Sequence, residues 1–209
     1  MNRFTIESNE FLNKSVDAFY HSDYHGGTNW QMDGTFENFF WKLKNDAIKP
    51  SEIALQNAVQ QLKNILFEDL PQITMLTDIQ NLTVCVIPRA KADKTYRPDQ
   101  MLFKTTVKSV VNELQNFTDG TDYMIRHTNT KTTHLRRPVV GFTNDGLSPY
   151  QGITKDTCNI SDNVIGKNIL LIDDIYTKSV NIDEDAIQAL LNKGAKLVVF
   201  YAVGRTVQK

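Results

Sequence analysis

The sequence predicts an α/β fold with a parallel central sheet flanked by helices. From residue 82 onward, short apolar runs alternate with segments that carry apolar residues at helical spacing. This alternation is typical of parallel strands connected by covering helices. The strongest run, KNILLI at 167–172, ends directly before two adjacent acids, Asp173 and Asp174. Because ligands of such sheets bind beyond the carboxyl ends of the strands, these acids are the first candidates for a functional site.

The composition is that of a globular protein without a dominant charge. The 209 residues are 41% hydrophobic, which is enough for one substantial core. The net charge of -1 argues against a polycation built for nucleic acid. Cys85 and Cys158 lack metal-ligand spacing and fit a reducing compartment. The sequence contains no apolar run of membrane-spanning length and no secretory signal at its start, so we expect a cytoplasmic protein that does not enter a membrane.

Residues 1–70 are predicted to form a helical and irregular region packed on the core, and residues 71–209 the α/β domain. Ser51 begins a helix whose apolar residues repeat at helical spacing. Before it, His21 and His25 are either a metal half-site or, as the neighbouring glycines favour, surface residues of a loop. Four aromatic residues between them and this helix are expected to anchor packing: Phe36, Phe39, Phe40 and Trp41.

The second region contains the elements of the predicted sheet. LTVCVI at 82–87 is a short buried strand, and 123–126 is a candidate strand. Residues 183–194 form a helix that begins with acids and ends with glycine, and 196–203 form a further strand. Asp99 is predicted to cap another helix. The apolar stripe of that helix comprises Phe103, Val107, Val110, Val111, Leu114 and Phe117.

The acid pair at 173–174 has three interpretations: metal ligands, acceptors for a vicinal diol, or charges that cap a helix. The following helix carries its own acids at 183–185, which argues against capping. Burying two carboxylates beside an apolar strand costs several kcal/mol unless positive or hydrogen-bonding groups satisfy them. The pair therefore favours a function, and both carboxylates are expected to face one cleft.

The stretch ILLIDDIYTKSVN at 169–181, followed by a helix and GAKLVVFYAVGRT, resembles the signature of type I phosphoribosyltransferases. Their strand, acid pair and phosphate loop typically run VLLVDDVxTTGAT. Within that superfamily the chain is most similar to the ComF-like, amidophosphoribosyltransferase-related proteins, because the acid pair lies near the C-terminus and a basic loop and a long polar stretch precede it. The resemblance covers roughly residues 82–206. It implies a Mg²⁺-dependent transfer of the phosphoribosyl group from 5-phosphoribosyl 1-pyrophosphate (PRPP) to an unidentified acceptor, with release of pyrophosphate.

The resemblance also implies a role for each part of the site. Asp173 and Asp174 would accept hydrogen bonds from the ribose hydroxyls, directly or through Mg²⁺ and its waters. The following turn would hold the 5′-phosphate near a helix N-terminus. Its residues are Tyr176, Thr177, Lys178, Ser179, Val180 and Asn181. A basic loop would hold the pyrophosphate as its charge develops. The loop includes Arg89, Ala90, Lys91 and Arg97, and its alternative interpretation is a solvated surface.

The phosphate turn departs from the family pattern. Where the family has Thr-Gly-Ala-Thr, this chain has the sequence KSVN at 178–181, and the missing glycine removes the easiest route to close backbone contact with phosphate. We predict that Lys178 compensates as a point charge on the phosphate. The alternative is a catalytically degenerate module that binds ribose phosphate or a nucleotide and assists DNA processing or uptake.

A last basic segment, IRHTNTKTTHLRRP at 125–138, contains no acid. Its cations are Arg126, Lys131, Arg136 and Arg137. It is interpreted as a flap over the phosphates, as a patch for single-stranded nucleic acid, or as an exposed polar loop. The sequence leaves a homodimer open.

Overall fold

A computed structural model describes residues 1–133 and 142–207 of the chain. Its strands are β1 (Asn2–Ile6), β2 (Val16–Tyr24), β3 (Leu82–Val86), β4 (Phe117–Asp119), β5 (Met124–Arg126), β6 (Cys158–Ile160), β7 (Asn168–Tyr176) and β8 (Leu197–Thr206). Its helices are α1 (Phe36–Lys44), α2 (Glu52–Thr77), α3 (Leu102–Glu113), α4 (Ile153–Thr157) and α5 (Ile182–Asn192).

Six of the strands form one mostly parallel sheet in the order β1-β2-β8-β7-β3-β4. Strand β1 runs antiparallel to β2, and every other neighbouring pair of this sheet is parallel. Strand β7 lies in the middle, with Ile172 paired to Val86 on one side and to Tyr201 on the other. The predicted α/β class with a parallel central sheet is confirmed at this level, and the carboxyl ends of β2, β8, β7 and β3 meet at one edge.

Helices cover both faces of the sheet. Helices α1, α2 and α3 pack on one face, where Phe40, Leu66 and Val110 meet Tyr201 of β8. Helix α5 packs on the other face through Ile187. Helix α2 forms where the sequence predicts it, because its apolar residues recur every three to four positions and the Ser51 side chain accepts a hydrogen bond from the amide of Ala54.

The prediction of a purely helical and irregular N-terminal region is wrong. Strands β1 and β2 extend the main sheet, and Ala18 of β2 pairs with Phe200 of β8. Burial along β2 does not alternate, so the period of two that identifies a strand in sequence is missing. The predicted division at residue 70 falls inside α2, and residues on both sides of it contribute strands to one sheet.

Two further elements differ from the sequence prediction. Helix α3 begins at Leu102 and not at Asp99, which lies in a 3₁₀ turn, Pro98–Met101. Phe117, assigned to the apolar stripe of this helix, is the first residue of β4. Strand β5 forms as predicted, but it pairs with β6 in a separate two-stranded sheet.

The two histidines of the N-terminal region do not form a metal half-site. The His21 ring nitrogen Nδ1 lies 3.0 Å from Oδ2 of the buried Asp69, which also accepts a hydrogen bond from Tyr201. Within residues 1–133 and 142–207, no group of three or more His, Cys, Asp or Glu side chains is arranged to hold a metal ion. Among the same residues, no helix combines the length and apolar character needed to cross a membrane.

Shortening a leucine of α2 should destabilise the protein only where that leucine is buried. We expect Leu66→Ala to lower the free energy of unfolding by about 2–5 kcal/mol, because the side chain is fully buried against the sheet. Leu76→Ala is the matched control on the same helix, since Leu76 is 53% exposed. Its effect should stay within about 0.5 kcal/mol. Urea unfolding measures both values, and equal losses would contradict the packing of α2 described above.

Candidate functional site

The predicted acid pair lies at the carboxyl end of the central strand β7. Pairing with β3 reaches only as far as Ile172, and from Asp173 onward β7 is paired with β8 alone. The acids are therefore the first residues of β7 that project beyond a neighbouring strand. This is the place where parallel sheets bind ligands.

The two carboxylates point to opposite faces of the sheet. Oδ2 of Asp174 lies 2.6 Å from Nζ of Lys44, the last residue of α1. Asp173 faces α5 instead, where its carboxyl group hydrogen-bonds with that of Asp183. Successive side chains of a strand alternate between faces, so adjacent acids diverge unless the strand is distorted. The expectation that both carboxylates face one cleft is not met.

The alternation of side chains inverts directly after the acid pair. Leu170 and Ile172 pack in the core cluster beneath α1–α3, and Ile175 also packs against that cluster although it is an odd position. Tyr176 lies in the cluster beneath α5, close to the ring of Phe200. The inversion directs the Tyr176 hydroxyl towards the first turn of α5.

Asp173 and Asp183 form a buried carboxyl pair in which both pKa values are raised. Burial and the charge of Asp174 raise the pKa of Asp173 against the opposing charge of Lys44, with a net value of about 7. Burial and the adjacent Asp173 raise the pKa of Asp183 well above its usual range. Two carboxyl groups in hydrogen-bonding contact do not both ionise readily, because like charges at this distance repel strongly in a poorly solvated environment.

Lys44 supplies the positive charge that this edge of the sheet needs. Burial alone would lower the pKa of Lys44, but the carboxylates of Asp174 and Asp173 raise it overall. Lys44 therefore stays protonated and holds Asp174 as a hydrogen-bond acceptor. Sequence analysis missed this residue, because it belongs to a helix far along the chain from β7 and no local pattern marks it.

Asp183 is a second residue whose role the sequence analysis missed. It was interpreted as one of the acids that begin a helix, yet its side chain is only 3% exposed. A signal for this existed in the sequence. Asp183 stands four positions before Ile187 and seven before Leu190, so all three lie on one helix face, and the two apolar residues are fully buried.

Arg89 of the predicted pyrophosphate loop is held by residues of the protein itself. Its guanidinium forms an ion pair with Asp46 and donates hydrogen bonds to the carbonyls of Lys44 at 2.7 Å and Gln100 at 2.5 Å. It also lies over the Tyr96 ring, with Cζ 4.4 Å from the ring centre. These contacts join the basic loop to the end of α1.

Lys91 is likewise occupied by an internal partner. It is 7% exposed, and its Nζ lies 2.9 Å from Oδ1 of Asp145 and donates to the carbonyl of Thr130 at 3.0 Å. The carbonyl of Ala90 accepts a hydrogen bond from the amide of Thr130 at 2.7 Å. The loop is therefore braced against the segment around residue 130.

Arg97 forms a two-pronged contact with Asp99. Its Nε and Nη2 donate to the two carboxylate oxygens at 3.1 and 3.0 Å. This hydrogen bonding lowers the pKa of Asp99. Each of the three predicted pyrophosphate-binding cations thus has an aspartate partner, and the solvated-surface interpretation fails for the buried Lys91.

The predicted phosphate turn, 177–181, connects the end of β7 to α5. The hydroxyl oxygens of Thr177 and Thr206 lie 2.7 Å apart, and the amide of Val180 donates to the carbonyl of Thr177 at 3.0 Å. Lys178 and Ser179 are exposed. The backbone of the turn has a positive φ angle, 57°, at Asn181. Because Asn tolerates the left-handed region, this turn closes without the glycine of the family pattern.

The cations of the last basic segment, 125–138, differ in their surroundings. Arg126 is 5% exposed and donates to the carbonyl of Arg89 at 2.7 Å and to the hydroxyl of Thr157 at 2.5 Å, so it has a structural role. Lys131 is exposed. Arg136 and Arg137 lie outside the described residues, and the flap and nucleic-acid interpretations stay predictions.

The described acids do not form a direct Mg²⁺ site. Carboxylate oxygens suit this ion. However, Asp173 and Asp174 diverge, and an oxygen of Asp174 is in contact with the Lys44 ammonium. The indirect role that the sequence analysis gives these acids, through waters or ribose hydroxyls, stays a prediction.

A comparison with protein-family models finds no match to this chain, and no curated protein is significantly similar to it.

The raised pKa of Asp173 predicts a specific dependence of stability on pH. The pKa of Asp173 is about 7 in the folded protein against an ordinary 3.8. At pH values between these two pKa values, the folded state binds more protons than the unfolded state. The free energy of unfolding is therefore highest at the acidic end of this range and falls as pH rises towards 7. We expect the melting temperature to decrease between about pH 5 and about pH 8.

Asp183→Asn should reduce this decrease in melting temperature. The Asn side-chain amide can donate a hydrogen bond to Asp173, and the substitution removes the like charge of the Asp183 carboxyl group. Asp33→Asn, at a side chain that is 90% exposed, is the control and should leave the pH profile unchanged. Thermal unfolding monitored by circular dichroism measures all three proteins. Parallel profiles for wild type and Asp183→Asn would contradict the contribution of Asp183 to the raised pKa of Asp173.

Proposed function

We propose that the protein is a phosphoribosyltransferase of the type I, ComF-like kind, which binds PRPP with Mg²⁺ and transfers its phosphoribosyl group to an acceptor. One observation carries the proposal: an acid pair at the carboxyl end of the central parallel strand leads through a short turn into the N-terminus of α5. This order of strand, acids, turn and helix is the arrangement that brings ribose hydroxyl acceptors and a phosphate site to one edge.

Each group of residues at the carboxyl ends of the parallel strands has a defined role in this proposal. Asp174 accepts a hydrogen bond from a ribose hydroxyl while the Lys44 ammonium, 2.6 Å away, holds the carboxylate in position. Asp173, which lies beside Asp183, offers a second contact on the other side of the strand. The amides of the turn 177–181 and the positive end of the α5 dipole hold the 5′-phosphate. A Mg²⁺ ion bound together with PRPP would supply positive charge that offsets the charge of the departing pyrophosphate.

Binding of PRPP tests this proposal directly. Titration calorimetry with PRPP and Mg²⁺ should give a measurable affinity for wild type, and Asp174→Asn should weaken it by about tenfold or more, because the amide is a poorer acceptor than the carboxylate. Asp162→Asn is the control, since Asp162 is 82% exposed and lies outside this edge. The proposal fails if wild type does not bind PRPP at millimolar concentration, or if both variants bind equally.

A second candidate function is a ribose-phosphate-binding module without transferase activity. It is favoured by the occupied cations: Arg89 is paired with Asp46 and Lys91 with Asp145, so neither is available to a pyrophosphate unless these contacts break. A module of this kind should bind ribose 5-phosphate as tightly as PRPP and release no pyrophosphate from PRPP. A transferase should prefer PRPP, and a coupled pyrophosphate assay with candidate amine acceptors distinguishes the two.

The turn itself yields a prediction at Lys178. A charge-assisted hydrogen bond contributes about 1.5–3 kcal/mol, so Lys178→Ala should weaken ribose 5-phosphate binding by about one to two factors of ten. Binding of ribose without phosphate should change far less. Lys193→Ala, at the other end of α5 and paired with Asp162, is the matched control. An unchanged affinity in Lys178→Ala would mean that the backbone amides of the turn hold the phosphate unaided.

A further inference from the structure

A polar crevice of about 200 Å³ lies between the N-terminal segment and the ends of β7 and β8. It is on the α5 side of the sheet, whereas Asp174 points to the α1 side. Its charged lining residues are two acids, Glu184 and Glu7, and two cations, Arg205 and Lys178, and Tyr176 also lines it. None of these was assigned a role on this side by the sequence.

Glu184 lines the crevice and has a buried carboxylate. The residue is 1% exposed, and its Oε1 accepts a hydrogen bond from the Tyr176 hydroxyl at 2.8 Å. Its Oε2 is also buried and has no hydrogen-bond partner among residues 1–133 and 142–207. A buried polar atom of this kind is costly for the fold, and such atoms mark places where a bound group completes the hydrogen bonding.

Two cations stand near this carboxylate without forming an ion pair. The Arg205 guanidinium lies over the rings of Phe4 and Tyr20, with Cζ 4.3 and 5.3 Å from their centres. Within the described parts of the chain, no acidic side chain lies within ion-pair distance of Arg205. Lys178 is exposed, and its charge lowers the pKa of Glu184, which burial raises. The lining of the crevice thus combines the buried acceptor of Glu184 with two cations and a second acid, the exposed Glu7.

The geometry limits what such a site accepts. One free carboxylate oxygen suits a single ammonium group, whereas the two-pronged edge of a guanidinium or guanine needs two. A crevice of about 200 Å³ is below the range of roughly 300–1,000 Å³ that holds drug-sized ligands. The occupant is therefore small, with a positive nitrogen at one end and an anionic group at the other.

We propose that this crevice binds a small amino acid. Its ammonium donates to Oε2 of Glu184, and its carboxylate lies between the Arg205 guanidinium and the Lys178 ammonium. The site is separate from the proposed ribose-phosphate site, and only Lys178 stands near both.

The probes are glycine, L-alanine and L-serine, with acetate and methylammonium as half-ligands that carry one charge each. Titration into the full chain should show binding of at least one amino acid, at least about tenfold tighter than either half-ligand. Inorganic phosphate is titrated in parallel. Binding of phosphate with no amino acid bound at about 10 mM would show a simple anion site and overturn the proposal, as would no binding of any probe.

Two variants test the residues independently. Glu184→Gln keeps the shape and the acceptor for Tyr176 but loses the charge, and Arg205→Gln removes the partner of the carboxylate. Each should weaken amino-acid binding by about tenfold, whereas Glu68→Gln and Arg3→Gln, an exposed acid and an arginine outside the crevice, should not. Thermal unfolding verifies that each variant is folded. Because Arg205 is only partly buried, its variant remains informative if Glu184→Gln does not fold.

The two proposed sites are distinguished by a third variant. Asp174→Asn should weaken PRPP binding by about tenfold or more and leave amino-acid binding unchanged, because Asp174 lies on the other face of the sheet. Unchanged amino-acid binding in both Glu184→Gln and Arg205→Gln would place the amino acid elsewhere and overturn the proposal, whatever PRPP does.

Discussion

The ion pair between Lys44 and Asp174 is the contact on which the functional edge of this protein depends. Strand β7 carries two adjacent acids out of an apolar core, and the low polarisability of that core makes a second unpaired charge costly. Two different contacts lower this cost. The ammonium of Lys44 in α1 pairs with Asp174, and the carboxyl group of Asp183 in α5 hydrogen-bonds with that of Asp173, whose pKa is raised. Both helices that flank the strand end are thereby held in place by the acids.

Charge pairing also holds the neighbouring loop, which follows β3. Arg89 spans the loop after β3 and the end of α1, because its guanidinium contacts Asp46 and the carbonyl of Lys44. Lys44 therefore contacts Arg89 through its backbone carbonyl and Asp174 through its side chain. A ligand that draws Arg89 away from Asp46 would also disturb the position of Lys44.

The first turn of α5 joins two different chemical environments. Asp183 contacts Asp173 of β7. The next residue, Glu184, lines the crevice together with Tyr176 and Arg205. Consecutive helix positions lie about 100° apart, which is what separates the two directions. The helix N-terminus favours both acids electrostatically, because its dipole is positive there. A single helix turn therefore contributes residues to both proposed sites, on different sides of one strand.

The sequence by itself determined the elements whose signal is local. Helix α2 and strands β3, β7 and β8 follow from apolar periodicity, and the position of the acids at a strand end follows from the run before them. Only the tertiary structure showed that β1 and β2 complete the sheet, that Lys44 reaches Asp174, and that Arg89 is already paired. These are contacts between segments far apart in the chain. Their partners are chosen by packing and charge compensation in three dimensions, which no window of neighbouring residues records.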